Sequence, residues 1–439
     1  MTRFGLCRAP FGSMYFDQFG RVRMCCQNTV SLMGDIATQS IREIWDSGVT
    51  RGLRDDLAGG VYPPGCEICV WMDTTDVPEM VFARTFDELE PVGPPYRWPA
   101  QMEFSISNAC NLQCVMCSGE FSSAIRAHRE RLPALAMPYG EAFFEELVEF
   151  LAHLDTVKVL GGEPFLSVES MRVMELAIEH SSAQVVVTTN ATQWNDRVAR
   201  LVDSGRLEMV VSLDGVSAEV YESIRVGASF DKVLANVDRM QAAAARHGSP
   251  FSLAHCLMTH NWFEFPDFLR FAEDRDLLLG VNIVQYPNES SLYQLDRSEL
   301  AEVVAALGAS TAVLEGELTG ARLEAWHANL HSLERHLESL ALPEEQRPGP
   351  SRYMGPSEGP DLGPDMGPNP FEAFSSAGSA TASRRVGNSC PQPSQTGRWR
   401  SADSGSTGCR PPIPGRPSRR WGTPRRWSPT SCSAGRTTW

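Results

Sequence analysis

Between Met102 and Tyr286 short apolar runs alternate six times with amphipathic stretches. The runs are MEFSIS (102–107), TVKVLG (156–161), QVVVTT (184–189), LEMVVSL (207–213), FSLAHCLM (251–258) and LLLGVNIV (277–284). The segments between them, such as EAFFEELVEFLAHL (141–154) and FDKVLANVDRMQAAAA (230–245), carry apolar residues at helical spacing. Short, mostly apolar runs bounded by helical stretches suit strands, and strands joined through helices pair in parallel. The chain is therefore read as α/β, a partial (βα)6 TIM-like barrel, short of the eight units of a closed one.

Charge divides the chain in two. The formal net charge is −15 over 439 residues, but residues 381–439 hold eleven Arg against Asp403 alone. That end is +10 and the rest is −25. An acidic main body argues against a general nucleic-acid binder. The basic end has no Leu, no Phe and no helical or strand period, so it cannot bury enough apolar area to offset the entropy of ordering. Residues 346–439 are expected to be a disordered tail, with the composition of a GC-rich gene read out of frame. No stretch is apolar enough to span a membrane and the first residues lack a signal core, so a cytoplasmic protein is expected. In a reducing compartment clustered cysteines point to metal ligands rather than disulfides.

The densest chemistry follows the first strand of the repeat: Cys110-Asn-Leu-Gln-Cys114-Val-Met-Cys117. Three thiolates on one short loop can hold three corners of a [4Fe–4S] cube and leave one iron open. The C-terminal ends of barrel strands are where active sites form. After the second strand comes Gly161-Gly162-Glu163-Pro164, after the third Thr188-Thr189-Asn190, and after the fourth Ser212-Leu213-Asp214-Gly215, followed by Arg225. In this order the motifs resemble those of the radical S-adenosylmethionine (SAM) superfamily. The resemblance implies a SAM-binding [4Fe–4S] cluster on Cys110, Cys114 and Cys117. It also implies SAM contacts from Gly161, Gly162, Glu163 and Pro164, with the Glu163 carboxylate facing an ammonium, and from Asn190, Ser212 and Arg225. Met116 stands where many members have an aromatic residue, at the adenine position.

Before the barrel, MYFDQFGRVRMCC (14–26) reads as a hairpin turning at Asp17–Gly20, and SIREIWDSGVTRGLRDDL (40–57) as an amphipathic helix. With Cys7, Cys25, Cys26, Cys66 and Cys69 they resemble the SPASM or twitch modules of the same superfamily, which usually follow the barrel rather than precede it. That implies an auxiliary Fe–S cluster held by Cys7, one of Cys25 or Cys26, Cys66 and Cys69; a Cys₄ zinc site is the alternative. The expected organisation is a cysteine module at 1–90, a barrel at 98–290, a helical extension at 291–345 and the tail.

On the fifth strand, parity places Cys256 in the barrel lumen if Leu253, His255 and Leu257 face the outer helices. A thiol there can quench a substrate radical, whereas His255 reads as structural. The resemblance implies reductive cleavage of SAM to a 5′-deoxyadenosyl radical and hydrogen abstraction from an unactivated C–H. The substrate would be a peptide or small natural product, the outcome oxidation, cross-linking or epimerisation, and the electron source a carrier such as flavodoxin or ferredoxin. A non-catalytic Fe–S or zinc scaffold is the competing reading.

Overall fold

The computed structural model describes residues 7–72, 81–89 and 95–343; the basic tail lies outside them. Nine strands form one sheet: β1 (Ser13–Phe16), β2 (Arg21–Arg23), β3 (Leu32–Asp35), β4 (Gln101–Phe104), β5 (Thr156–Val159), β6 (Gln184–Thr189), β7 (Leu207–Ser212), β8 (Phe251–Leu257) and β9 (Leu278–Ile283). Their order is β3-β2-β1-β4-β5-β6-β7-β8-β9. All neighbours from β1 through β4 to β9 are parallel, whereas β1, β2 and β3 form an antiparallel meander. The six runs of the repeat are β4 to β9, an open six-unit barrel.

The cysteine module is not a separate sheet, as its own boundary near residue 90 would suggest. Ser13–Phe16 lies in register with Gln101–Phe104 and lengthens the barrel by a seventh parallel strand. Met14 and Phe16 point outward and are fully buried. Phe16 stacks on Phe104 at 5.1 Å and meets Phe143 edge-on at 5.6 Å. Each such side chain contributes about 1.5–3 kcal/mol by leaving water. The hairpin turns where expected, with Asp17 Oδ1 accepting from the Phe19 and Arg21 N–H groups at 2.9 and 3.0 Å. The single helix expected over 40–57 is two, Ile41–Trp45 and Gly48–Ala58. Ser47 divides them: its hydroxyl accepts from Thr50 N–H at 2.9 Å and so caps a new helix.

Alternation along the parallel strands separates a shell from a lumen. Val157, Val185, Val187, Val211, Leu253 and Leu257 have no exposed surface and face the helices. Lys158, Val186, Thr188, Val210, Ser212, Ala254 and Cys256 have the opposite parity and are only half-buried. The C-terminal extension forms helices Arg297–Gly308, Thr311–Glu317 and Gly320–Ser339, the last lying against β9. Among the described residues no helix is long and apolar enough to cross a membrane.

Candidate metal centre and SAM site

The Cys110–Cys117 loop leaves β4 and is tied down on two sides. Ser122 Oγ donates to Leu112 O at 2.6 Å, and Cys110 N–H donates to Ser123 Oγ at 3.1 Å. Gln113 and Val115 N–H groups donate to Val226 O and Ile224 O at 2.8 and 3.0 Å. Cys110 and Cys114 are buried and Cys117 is half-buried. Burial pushes Cys114 up to about 11 and Cys117 to about 12, and for Cys117 the other two thiols add to the rise. Thiols crowded out of water in this way are poor as free thiolates and gain from a shared cationic partner. Among the described residues no three Cys, His, Asp or Glu side chains close on one point as a single ion requires. The donor set, three thiols on one short loop, fits the corners of a cube.

The glycines of the next motif are required by contact with this loop. Gly161 has φ +81° and a Cβ there would lie 2.2 Å from Ser105 Oγ; Gly162 has φ +54° and its Cβ would lie 2.6 Å from Ala109 O. Glu163 N–H then donates to Ala109 O at 2.7 Å. The motif therefore sits directly on the backbone entering Cys110. The Glu163 carboxylate, expected to meet an ammonium, instead turns inward with no exposed surface. It accepts from Thr189 Oγ1 at 2.7 Å, Asn190 N–H at 2.7 Å and Phe165 N–H at 3.0 Å. Burial raises its pKa against these donors. What this motif leaves for a ligand is backbone, with Glu163 and Pro164 holding its shape.

Asn190 is buried, and its Nδ2 lies 3.8 Å from Cys110 Sγ and 3.4 Å from Asn111 Oδ1. Ser212 ends β7 on the lumen face, half-buried, paired with Ala254. Arg225, expected to reach SAM, is already committed: Nε and Nη2 both lie 2.7 Å from Asp214 Oδ2, with Asp214 fully buried. Asp214 Oδ1 accepts the Cys256 N–H at 2.8 Å. Cys256 has the lumen parity and packs, as Val115 and Met116 do, against the cluster of Val220, Ile224, Met258 and Val284, and Met116 also packs against that of Cys110, Leu112 and Cys114. Burial pushes the Cys256 thiol up to about 12. His255 faces outward as a structural residue, stacked on Phe268 at 4.1 Å with Nδ1 2.9 Å from Leu213 O.

In the N-terminal module Cys7, Cys25, Cys66 and Cys69 share one neighbourhood. Burial pushes Cys7 and Cys66 to about 12 and Cys69 to about 11, and Cys25 adds to the rise at all three. Asn28, absent from the sequence-based candidates, serves two of them: its backbone N–H donates to Cys25 Sγ at 3.4 Å and its Nδ2 to Cys66 Sγ at 3.3 Å. Cys26 is half-buried and is not among the influences on those three thiols. After burial, the largest influence raising it is Glu103 on the lumen face of β4.

A model of the radical SAM superfamily matches residues 104–272, and a model of the SPASM iron–sulfur cluster-binding domain matches residues 7–70. Residues 104–272 belong to the radical SAM superfamily. The chain's SPASM module stands at the N-terminus, so its cofactors are SAM, a [4Fe–4S] cluster and auxiliary Fe–S. Curated relatives include the GTP 3′,8-cyclases of Listeria monocytogenes serotype 4b and of Rhizobium etli. The first is 28% identical over 187 residues, covering 42% of this chain and 53% of the relative. The second is 28% identical over 185 residues, covering 41% and 50%. The chain thus spans about half the length of the relatives it matches. Among solved structures, anSMEcpe with bound AdoMet shows 16% identity, a TM-score of 0.37 and coverage of 50% of this chain and 62% of that one. SuiB of Streptococcus suis bound to S-adenosylmethionine shows 13% identity, a TM-score of 0.37 and 69% coverage of both.

Proposed function

We propose that this radical SAM enzyme abstracts hydrogen from an unactivated C–H of a peptide or small natural-product substrate held in the lumen. The net outcome would be oxidation, cross-linking or epimerisation. The observation that carries this reading is the contact of Gly162 with Ala109, which seats the Gly161–Pro164 motif on the strand end bearing Cys110. When bound, the reduced cluster supplies the electron that cleaves SAM to methionine and a 5′-deoxyadenosyl radical.

The chain's own groups do the rest. Cys110, Cys114 and Cys117 hold three irons, and Asn190 orients its amide beside Cys110. The Gly161–Glu163 backbone and Ser212 line the SAM side of the lumen, with Met116 toward the adenine. Asp214, fixed by Arg225, holds the backbone of Cys256. With its pKa near 12, Cys256 keeps its S–H at neutral pH, as a hydrogen donor to a substrate radical must. Cys7, Cys25, Cys66 and Cys69 hold the auxiliary cluster, an acceptor for an electron left on the product. A cytoplasmic one-electron carrier such as flavodoxin or ferredoxin is the reductant.

The test is anaerobic reconstitution, dithionite reduction and assay for 5′-deoxyadenosine. Cys114→Ala should abolish its formation. Cys66→Ala should leave SAM cleavage intact and stop product formation. A wild-type chain that holds iron but never cleaves SAM would instead be the non-catalytic scaffold.

A further inference from the structure

The lumen carries charges that neither cluster uses. Across the sheet one row of paired positions reads Arg23, Tyr15, Glu103, Lys158, Val186, Glu208. Most of its polar members are occupied. Arg23 lies 3.6 Å from Asp17 and 4.6 Å over the Tyr15 ring, and Glu208 accepts from the Gln184 amide. Glu103 and Lys158 meet through charge alone: burial raises the Glu103 carboxyl, and Lys158 first, then Arg23, lowers it. Glu103 is 6% exposed, yet among the described residues neither side chain has a hydrogen bond or an ion pair.

Their separation is informative because paired positions on neighbouring strands are only about 4.8 Å apart at Cα, close enough for an ion pair. A buried carboxylate without a hydrogen-bond donor is costly even beside positive charge, and the cost is reduced by whatever supplies a donor. The row is also close to the chemistry. Ser105, two residues and about 6.6 Å further along β4, is the residue Gly161 packs against. Lys158 is also one of only two lysines in a chain with 39 basic residues.

We propose that Glu103 and Lys158 orient the substrate by reading an amide, its N–H toward Glu103 and its C=O toward Lys158. This rests on the lumen being the substrate cavity. A lone carboxylate would satisfy Lys158 but face Glu103, and a lone ammonium would do the reverse. An amide satisfies both without bringing a net charge into a lumen whose other walls include Val186, Val210 and Ala254.

The test is equilibrium dialysis of the reconstituted full chain, with SAM, against radiolabelled N-acetylglycine N′-methylamide. Controls are the same molecule methylated on both nitrogens and free glycine. The secondary diamide should bind about tenfold more tightly than its methylated counterpart, the scale of one charge-assisted hydrogen bond. Glu103→Met should erase that preference, and Lys158→Met should weaken both diamides alike, while substrate-free 5′-deoxyadenosine formation stays within about twofold. Equal binding of the two diamides, an unchanged preference in Glu103→Met, unchanged binding in Lys158→Met, or tighter binding of glycine would overturn the proposal. Failure of the wild type to form 5′-deoxyadenosine would fault the radical SAM reading separately, since dialysis does not depend on it.

Discussion

Asp214 and Arg225 form an enclosed ion pair in which one carboxylate oxygen takes both Nε and Nη2 at 2.7 Å. Asp214 is 0% exposed and Arg225 7%. The second oxygen holds the Cys256 N–H, and the residues beside Arg225, Ile224 and Val226, accept from the cluster loop. One pair therefore ties together the end of β7, the end of β8 and the loop of Cys110, Cys114 and Cys117. Its value lies less in net stability, since burying two charges cancels much of their attraction, than in holding three segments in one arrangement.

Breaking the pair from one side should be costly. Asp214→Asn keeps a shape and an acceptor for Cys256 but leaves the Arg225 guanidinium buried without a counter-charge, a loss of about 3–5 kcal/mol. Urea denaturation should show it as a lower midpoint. The double change Asp214→Asn with Arg225→Met should recover most of the stability, and a midpoint unchanged in the single variant would refute the account.

The glycines make a second prediction. Gly162→Ala places Cβ 2.6 Å from a backbone oxygen at φ +54°, so the loop entering Cys110 must move. SAM cleavage should fall more than about tenfold, a barrier change of roughly 1.4 kcal/mol or more. Gly248→Ala is the control: it too has positive φ, +68°, but meets nothing within 4 Å. It should cost about 1 kcal/mol of stability and leave cleavage alone.

These contacts show where sequence reasoning reaches and where it stops. The six parallel strands were legible because short, mostly apolar runs separated by helical spacing mark βα repeats. The Cys110 loop and the Gly161–Pro164 motif were legible because their spacing is local. The parallel pairing of β1 with β4 was not, since hydrogen bonds joining residues 88 apart leave no local mark. Nor does a motif say which way Glu163 points: the same residue could face ligand or core, and three internal donors decide it. Glu103 and Lys158 look ordinary alone, and only register makes them neighbours.

Acid should loosen the C-terminal helix. Glu273 accepts from Arg322 Nε at 2.7 Å and from Thr319 at 2.8 and 3.0 Å, and Arg322 first, then Thr319, holds its carboxyl down to about 2. A carboxyl lowered in the folded state contributes stability above its unfolded pKa of about 4.5 and loses it as pH falls from there toward 2. Because the pair is partly exposed, we expect a loss of about 1–2 kcal/mol over that window. Glu273→Gln should be less stable at neutral pH and show a flatter acid dependence in thermal unfolding. An acid profile identical to wild type would count against this pair.

The adjacent cysteines Cys25 and Cys26 should behave oppositely. Cys25 is buried and Cys26 half-buried, both lie just past the same short strand, and composition cannot choose between them. Their neighbours can. Cys25 receives the Asn28 N–H and influences Cys7, Cys66 and Cys69, whereas Cys26 feels Lys158 in addition to the Glu103 and Arg23 that act on both. A cluster ligand is held by N–H donors near its partner thiols, and a lumen thiol is not. If Cys25 is the ligand, Cys25→Ala should lower the iron and sulfide of the reconstituted chain by about half while Cys26→Ala leaves them unchanged. Asn28→Ala should retain the iron but shift the auxiliary cluster's reduction potential downward, because lost hydrogen bonds to sulfur favour the oxidised state. Equal iron loss from Cys25→Ala and Cys26→Ala would place the auxiliary site elsewhere.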